Sequence, residues 1–276
     1  MIDLHCHILP AIDDGAKSLD MSLVMARMAV ADGITVTACT PHILPSVYDN
    51  TGPAIKSAVT ALQNSLDQAG IPLRLVVGAD VHVAPDLGIG LRDGHVPTLN
   101  GSRYLLLEPP HHVLPPNLEE HIFRLHSVGF VVIVTHPERM SWIEASYPLI
   151  QRLVHKGVWM QLTAGSLMGR FGRRPRYWAE RMLDDGLCHL LATDAHNTTS
   201  RPPYLAEARE AAAMRLGEEE ATHLVVTRPQ GVLDDVAPAA LPALLQRPRE
   251  EAPSVWQRIF ERVAKGGPKN ASRGDQ

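Results

Sequence analysis

His5 and His7 stand two residues apart in Ile2-Asp3-Leu4-His5-Cys6-His7-Ile8. In an extended chain that spacing puts both imidazoles on one face. The same residue types recur just past short apolar runs: His42 in Thr40-Pro41-His42, Asp80 with His82 two further on, Glu108, His136, and Asp194 with His196. Imidazoles and carboxylates together suit divalent Zn, Mn or Fe rather than Ca. The donors are too many for one ion, so two or three are implied. Ions about 3.5–4 Å apart clamp the attacking and leaving oxygens of a phosphoryl displacement. One histidine at a strand end is usually a hydrogen-bonded structural residue. Two pairs at i, i+2 (His5/His7 and Asp194/His196) plus four single donors (His42, Asp80, Glu108 and His136) at matching places are hard to obtain by chance.

The elements that must position these side chains can be read from periodicity. Period-two or continuous apolar runs at 2–8, 34–39, 72–78, 104–107, 130–134, 158–162 and 188–192 predict seven strands. Amphipathic stretches at 17–32, 53–69, 117–128, 145–156, 177–185 and 205–216 predict the helices between and after them, with a short one at 86–92 and a closing one at 218–226. Strand–helix units in series imply parallel strands with right-handed crossovers. The fold class is therefore α/β, and seven units favour a distorted seven-stranded (β/α)7 barrel. Barrels place their active sites at the C-terminal ends of the strands, which is where the donors stand. Only the sixth strand, ending near Thr163, offers no ionisable group.

Composition narrows the class further. The 276 residues carry 26 Lys and Arg against 30 Asp and Glu, a net charge of −4, so there is no basic footprint for nucleic acid. No apolar run approaches the roughly 18 residues of a membrane span, and Asp3 lies where a signal peptide would be basic. A cytoplasmic protein is expected, with the oligomeric state left open. The expected domain covers residues 1–236. Residues 237–276 read as a Pro/Ala-rich linker, a short amphipathic helix around 255–263 and a disordered tail.

The motifs Ile-Asp-Leu-His-Cys-His-Ile-Leu-Pro (2–10), Ile-Asp-Asp-Gly (12–15), Thr-Pro-His (40–42), His-Pro-Glu-Arg (136–139), Asp-Ala-His-Asn (194–197) and Ser-Arg-Pro-Pro-Tyr (200–204) together resemble the polymerase and histidinol phosphatase (PHP) superfamily. Within it they are most similar to the bacterial protein-tyrosine phosphatases of capsule and exopolysaccharide loci. The resemblance spans residues 1 to about 235. It implies a PHP-type barrel with three metal ions, Mn first among Mn, Fe, Mg and Zn. The implied ligands are His5, His7, Asp14, His42, Asp80, Glu108, His136, Asp194 and His196. The family usually has Glu where this chain has Asp80. The implied substrate is the phosphotyrosine tail of a bacterial tyrosine kinase controlling polysaccharide synthesis. Water made acidic by the ions is then the nucleophile. Arg139 and Arg201 become its phosphate clamps, because planar guanidinium matches phosphate oxygens in pairs.

Cysteine catalysis is disfavoured. An Arg six residues beyond the nucleophile is needed, and Cys6, Cys39 and Cys188 have Ile12, Pro45 and Asp194 there. Two other readings stay open at this point. One is a small-molecule phosphatase of the same superfamily, of the histidinol-phosphate type. The other is a barrel amidohydrolase, a group that also opens with His-x-His but often has a carbamylated Lys where Glu108 stands. His111 and His112 read as exposed rim residues, and His82 as lining the rim unless it makes good the short Asp80.

Overall fold

The structure, a computed structural model, describes residues 1–84 and 86–245. Nine strands stand among the described residues: β1 (Ile2–Cys6), β2 (Val36–Cys39), β3 (His42–Ile43), β4 (Arg74–Val77), β5 (Asp80–His82), β6 (Tyr104–Glu108), β7 (Val131–Thr135), β8 (Trp159–Thr163) and β9 (Leu190–Ala192). They form two sheets, β1-β2-β4 and β3-β5-β6-β7-β8-β9. Every pairing is parallel. Seven expected runs become nine strands because two are interrupted side by side. Pro41 has no N–H to donate to a ladder, and Gly78 faces the break. Across it, Gly78 N donates to Cys39 O at 3.0 Å and Asp80 N to Pro41 O at 3.1 Å. Beyond β9, Asp194 N donates to His5 O and His7 N to Ala195 O, both at 2.8 Å.

Among the described residues ten α-helices accompany the strands: α1 (Leu19–Ala31), α2 (Gly52–Gln68), α3 (Leu87–Arg92), α4 (Leu118–Ser127), α5 (Ile143–His155), α6 (Ala164–Leu167), α7 (Arg173–Asp184), α8 (Ala206–Leu216), α9 (Glu218–Thr222) and α10 (Arg228–Leu233). Local sequence sets their starts. Ser18 caps α1 by accepting from Met21 N, and Thr51 caps α2 ahead of Pro53 in its first turn. None of the described helices is long and apolar enough to cross a membrane.

The compact unit runs from Met1 to Leu245, beyond the boundary at 236 expected from composition. Arg228 explains the extension. It is fully buried, forks onto Glu220 at 2.7 and 3.1 Å, and donates to Pro242 O at 3.0 Å and Ala243 O at 2.8 Å. The expected helix around 255–263 and the tail after it lie outside the described residues.

Nearly all strand residues are buried, as parallel sheets covered by helices require. One apolar cluster takes a residue from almost every strand: Ile2, Leu4, Ala38, Val76, Tyr104, Leu106, Ile133, Trp159 and Leu190. The larger cluster fills the other face, under the helices. Period-two geometry then carries the first face from floor to site. Tyr104 and Leu106 lead to Glu108, Val76 to Asp80, Ala38 to His42, and Trp159 to Gln161. On β1 a register shift between Asp3 and Cys6 reverses the alternation. Ile2 and Leu4 therefore share the floor while His5 and His7 share the mouth.

Candidate active site

The strand ends bring the sequence-predicted donors together. His5 Nε2 lies 3.1 Å from His7 Nε2 and 3.4 Å from both Asp80 Oδ2 and Asp194 Oδ1. His7 Nε2 is 3.5 Å from Asp194 Oδ1. Asp14 Oδ1 stands 3.5 Å from His42 and 3.3 Å from His196. Glu108 faces His42 at 3.3 Å and His136 at 3.4 Å. Donors sharing one ion at bonds of about 2.0–2.2 Å sit roughly 3–3.6 Å apart. The ring is spaced like a coordination shell, wider than the roughly 2.7–2.9 Å of charge-assisted hydrogen bonds.

The outer contacts of the first two histidines point the same way. His5 Nδ1 is 2.8 Å from Gln161 Oε1, and His7 Nδ1 is 2.7 Å from Asp13 Oδ2. An oxygen acceptor on Nδ1 assigns the proton there, so each Nε2 presents a lone pair. Two lone pairs then meet at 3.1 Å, an arrangement a cation between them satisfies. Buried His42 Nδ1, Asp80 Oδ2 and His196 Nε2 also make no hydrogen bond. Buried polar atoms rarely stay unpartnered without a reason. The donor set fits divalent ions.

Electrostatics match. Burial opposes charge on His7, but Asp13 and Asp194 outweigh it and raise its pKa to about 10. A second proton on His7 would sit on Nε2, beside Asp194, in the place a cation would otherwise take. Burial holds His196 at about 4 and His136 well below its ordinary value, leaving both neutral. Asp194 and Glu108 ionise far below the usual range. Burial opposes this, but Arg201 and His5 beside Asp194, and His111 and His82 beside Glu108, prevail.

Backbone detail places the side chains. His136 and Asp194 take positive φ, 35° and 50°, a region costly for residues with a Cβ and concentrated at functional sites. A 3-10 turn over Pro137–Arg139 follows His136 and delivers Arg139. Arg139 and Arg201 both donate to Asp194 Oδ2, Arg201 at 2.5 Å. Asn197 Oδ1 accepts from the N–H groups of Thr199, Ser200 and Arg201, closing the loop that carries Arg201. Phe171 lies under both guanidinium groups, 4.4 Å from Arg139 and 5.8 Å from Arg201. Gly15 is required where Asp14 enters the ring, because a Cβ there would collide with the His7 carbonyl oxygen.

A cavity of about 250 Å³ opens over the ring, lined by Asp14, Tyr48, His82, His111, Arg139 and Arg201 among others. A larger groove of about 510 Å³ between α4 and α5 contains none of these donors. Chemistry, rather than size, marks the site.

Several contributors escaped sequence reasoning. Asp3 takes the Thr193 N–H at 2.9 Å and its hydroxyl at 2.5 Å, tying β1 to the turn that carries Asp194. Asp13 orients His7, and Gln161 fills the position on the sixth expected strand where no ionisable group stood. Period two from Trp159 could have found Gln161. Nothing local in the sequence flags Asp13 over Asp14. His111, expected at the exposed rim, lies 3.1 Å from Glu108 Oε1, and His82 lies 2.7 Å from Glu108 Oε2. After β8, Arg174 donates to the carbonyls of Met140 and Ser141, and Arg176 pairs with Glu180.

Comparison with known proteins agrees with this geometry. The chain is 36% identical over 219 residues to tyrosine-protein phosphatase YwqE of Bacillus subtilis, covering 79% of this chain and 86% of that one. It is 26% identical over 244 residues to tyrosine-protein phosphatase CpsB of Streptococcus pneumoniae, covering 85% and 99%. The fold superposes with a TM-score of 0.83, at 33% identity, on a structure from work on YwqE and CpsB, described as unique metal-dependent tyrosine phosphatases. That match covers 90% of this chain and 100% of the other. Residues 1–234 match the family described as capsular polysaccharide synthesis, CpsB/CapC, and the chain belongs to that family.

Proposed function

We propose that this protein is a metal-dependent protein-tyrosine phosphatase that hydrolyses phosphotyrosine on a bacterial tyrosine kinase regulating capsular or exopolysaccharide synthesis. The carrying observation is the ring itself, nine imidazoles and carboxylates at coordination spacing beneath two arginines. His5, His7, Asp14, His42, Asp80, Glu108, His136, Asp194 and His196 would hold divalent ions, three by donor count, with Mn first and Fe, Mg or Zn as alternatives. Such ions lower the pKa of water and neutralise phosphoryl charge. Arg139 and Arg201 keep guanidinium N–H groups for the phosphate oxygens while anchored on Asp194. Tyr48, stacked 5.6 Å from the His42 ring at the cavity edge, and Phe171 beneath the arginines offer apolar walls to a phenyl group. A phenolate leaving group, with a free pKa of about 10, needs little acid help.

The two sheets, joined across the Pro41 break and hydrogen-bonded between β1 and the turn after β9, support reading the body as a distorted seven-membered PHP-type barrel, with its catalytic part in residues 1–236. Three buried free cysteines suit a reducing, cytoplasmic compartment.

The test is hydrolysis by Mn-loaded full-length protein of a tyrosine-phosphorylated kinase-tail peptide, the same peptide phosphorylated on serine, and histidinol phosphate. A kcat/KM on phosphotyrosine at least about a hundredfold above the others is expected. A preference for histidinol phosphate, or no metal-dependent hydrolysis, overturns the reading.

A further inference from the structure

Glu108 is surrounded by more imidazoles than the nine-residue ring supplies. Its Oε1 faces His136 Nε2 at 3.4 Å and also His111 Nε2 at 3.1 Å. One ligand atom from each of Glu108, His111 and His136 lies within 4.8 Å of the other two. Asp80 gathers with His5 and His7 instead. Its carboxylate is one methylene shorter than a glutamate's, a reach shorter by about 1.5 Å.

The loop bearing His111 is built to hold it there. Trp142 Nε1 donates to Pro110 O at 2.9 Å, and Ser141 N donates to His111 O at 2.8 Å. The loop backbone is thus pinned on both sides of the Pro110–His111 peptide. His136 is almost wholly buried, and its Nδ1 makes no hydrogen bond. The other Glu108 oxygen is engaged by His82 at 2.7 Å, which fixes the carboxylate plane.

We propose that His111 is a metal ligand, closing a divalent-cation position with Glu108 and His136, and that His82 is the positioning residue for Glu108. Two imidazoles and one carboxylate form an N2O set that suits Zn, Fe or Mn better than Mg. The proposal rests on the reading of the ring as a metal centre. It adds a donor from the loop that follows β6.

The experiment compares wild type, His111→Ala and His112→Ala by equilibrium dialysis against Mn2+ and elemental analysis. Pulsed EPR of the Mn-loaded proteins counts coordinated imidazole nitrogens, and thermal melts are taken of the metal-free forms. His111→Ala is expected to bind one equivalent about tenfold or more weakly, to lose one imidazole nitrogen signal, and to melt like wild type without metal. His112→Ala, an exposed neighbour, is expected to match wild type throughout. Unchanged affinity in His111→Ala overturns the proposal, as does a loss shared with His112→Ala or matched by a lower metal-free melt. Failure of wild type to bind any metal overturns the underlying reading instead.

Discussion

Arg139 and Arg201 converge on a single oxygen, Oδ2 of Asp194, and leave Oδ1 to His5 and His7. One buried carboxylate therefore anchors the cations of the mouth and faces the donor ring at once. Replacing either arginine by alanine removes a proposed donor to phosphate oxygens without touching Oδ1. Arg139→Ala and Arg201→Ala are expected to lower kcat/KM on an aryl phosphate by about 10²–10³-fold with metal content unchanged. Steady-state kinetics with elemental analysis checks both halves. Lost metal in both variants would show that the arginines hold the ring together.

Gln161 sets the orientation of His5 through its 2.8 Å contact with Nδ1. Leucine keeps the bulk and removes the acceptor. Gln161→Leu is expected to weaken metal binding by roughly 10–100-fold, the usual cost of losing such an outer partner. Isothermal titration of the metal-free variant measures this, and an unchanged affinity would mean that His5 is held by packing alone.

Thiol chemistry should be silent. Cys6, Cys39 and Cys188 are buried and free, and burial pushes all three thiols above their ordinary values. Few thiolates are therefore available for alkylation. Iodoacetamide is expected to leave native phosphatase activity intact, while a chelator abolishes it and divalent ions restore it. Activity that survives chelation and falls on alkylation would reverse the assignment.

His189 gives the fold an acid limit away from the ring. It is stacked on Trp159 at 4.9 Å and its Nδ1 accepts from Met160 N at 3.1 Å. Burial, with Arg228 adding to it, lowers its pKa from 6.5 to about 3. The folded state thus binds fewer protons than the unfolded one between those values. Stability is whole above pH 6.5 and falls as pH drops toward about 3. The loss from this group is about 2 kcal/mol at pH 5. His189→Asn keeps an acceptor and removes the titration, so denaturant unfolding at pH 7.5 and pH 5 should show a smaller acid loss in the variant by that amount.

The gathering of these imidazoles and carboxylates at one mouth was legible because chemistry and period coincide. A strand whose lower residues are apolar and whose last same-face residue is Glu108 declares its end on its own. What stayed hidden were partners whose roles depend on distant chain. Gln161 is an ordinary strand amide until His5, 156 positions away, meets it. His111 sits in a proline-rich loop whose path depends on Trp142 and Ser141. The split of two strands was missed for a related reason: one proline interrupts its own strand visibly, but the matching break at Gly78 follows only from pairing.

The carbonyls of Pro242 and Ala243 on the Arg228 guanidinium bear on where the chain can be trimmed. A cut after Val236, where composition changes, would strip two acceptors from a buried cation and leave it with Glu220 and the His189 carbonyl. A cut after Leu245 leaves every one of those acceptors in place. The alanine- and proline-rich stretch that looks like spacer therefore begins with residues whose carbonyls hydrogen-bond a buried arginine of the body.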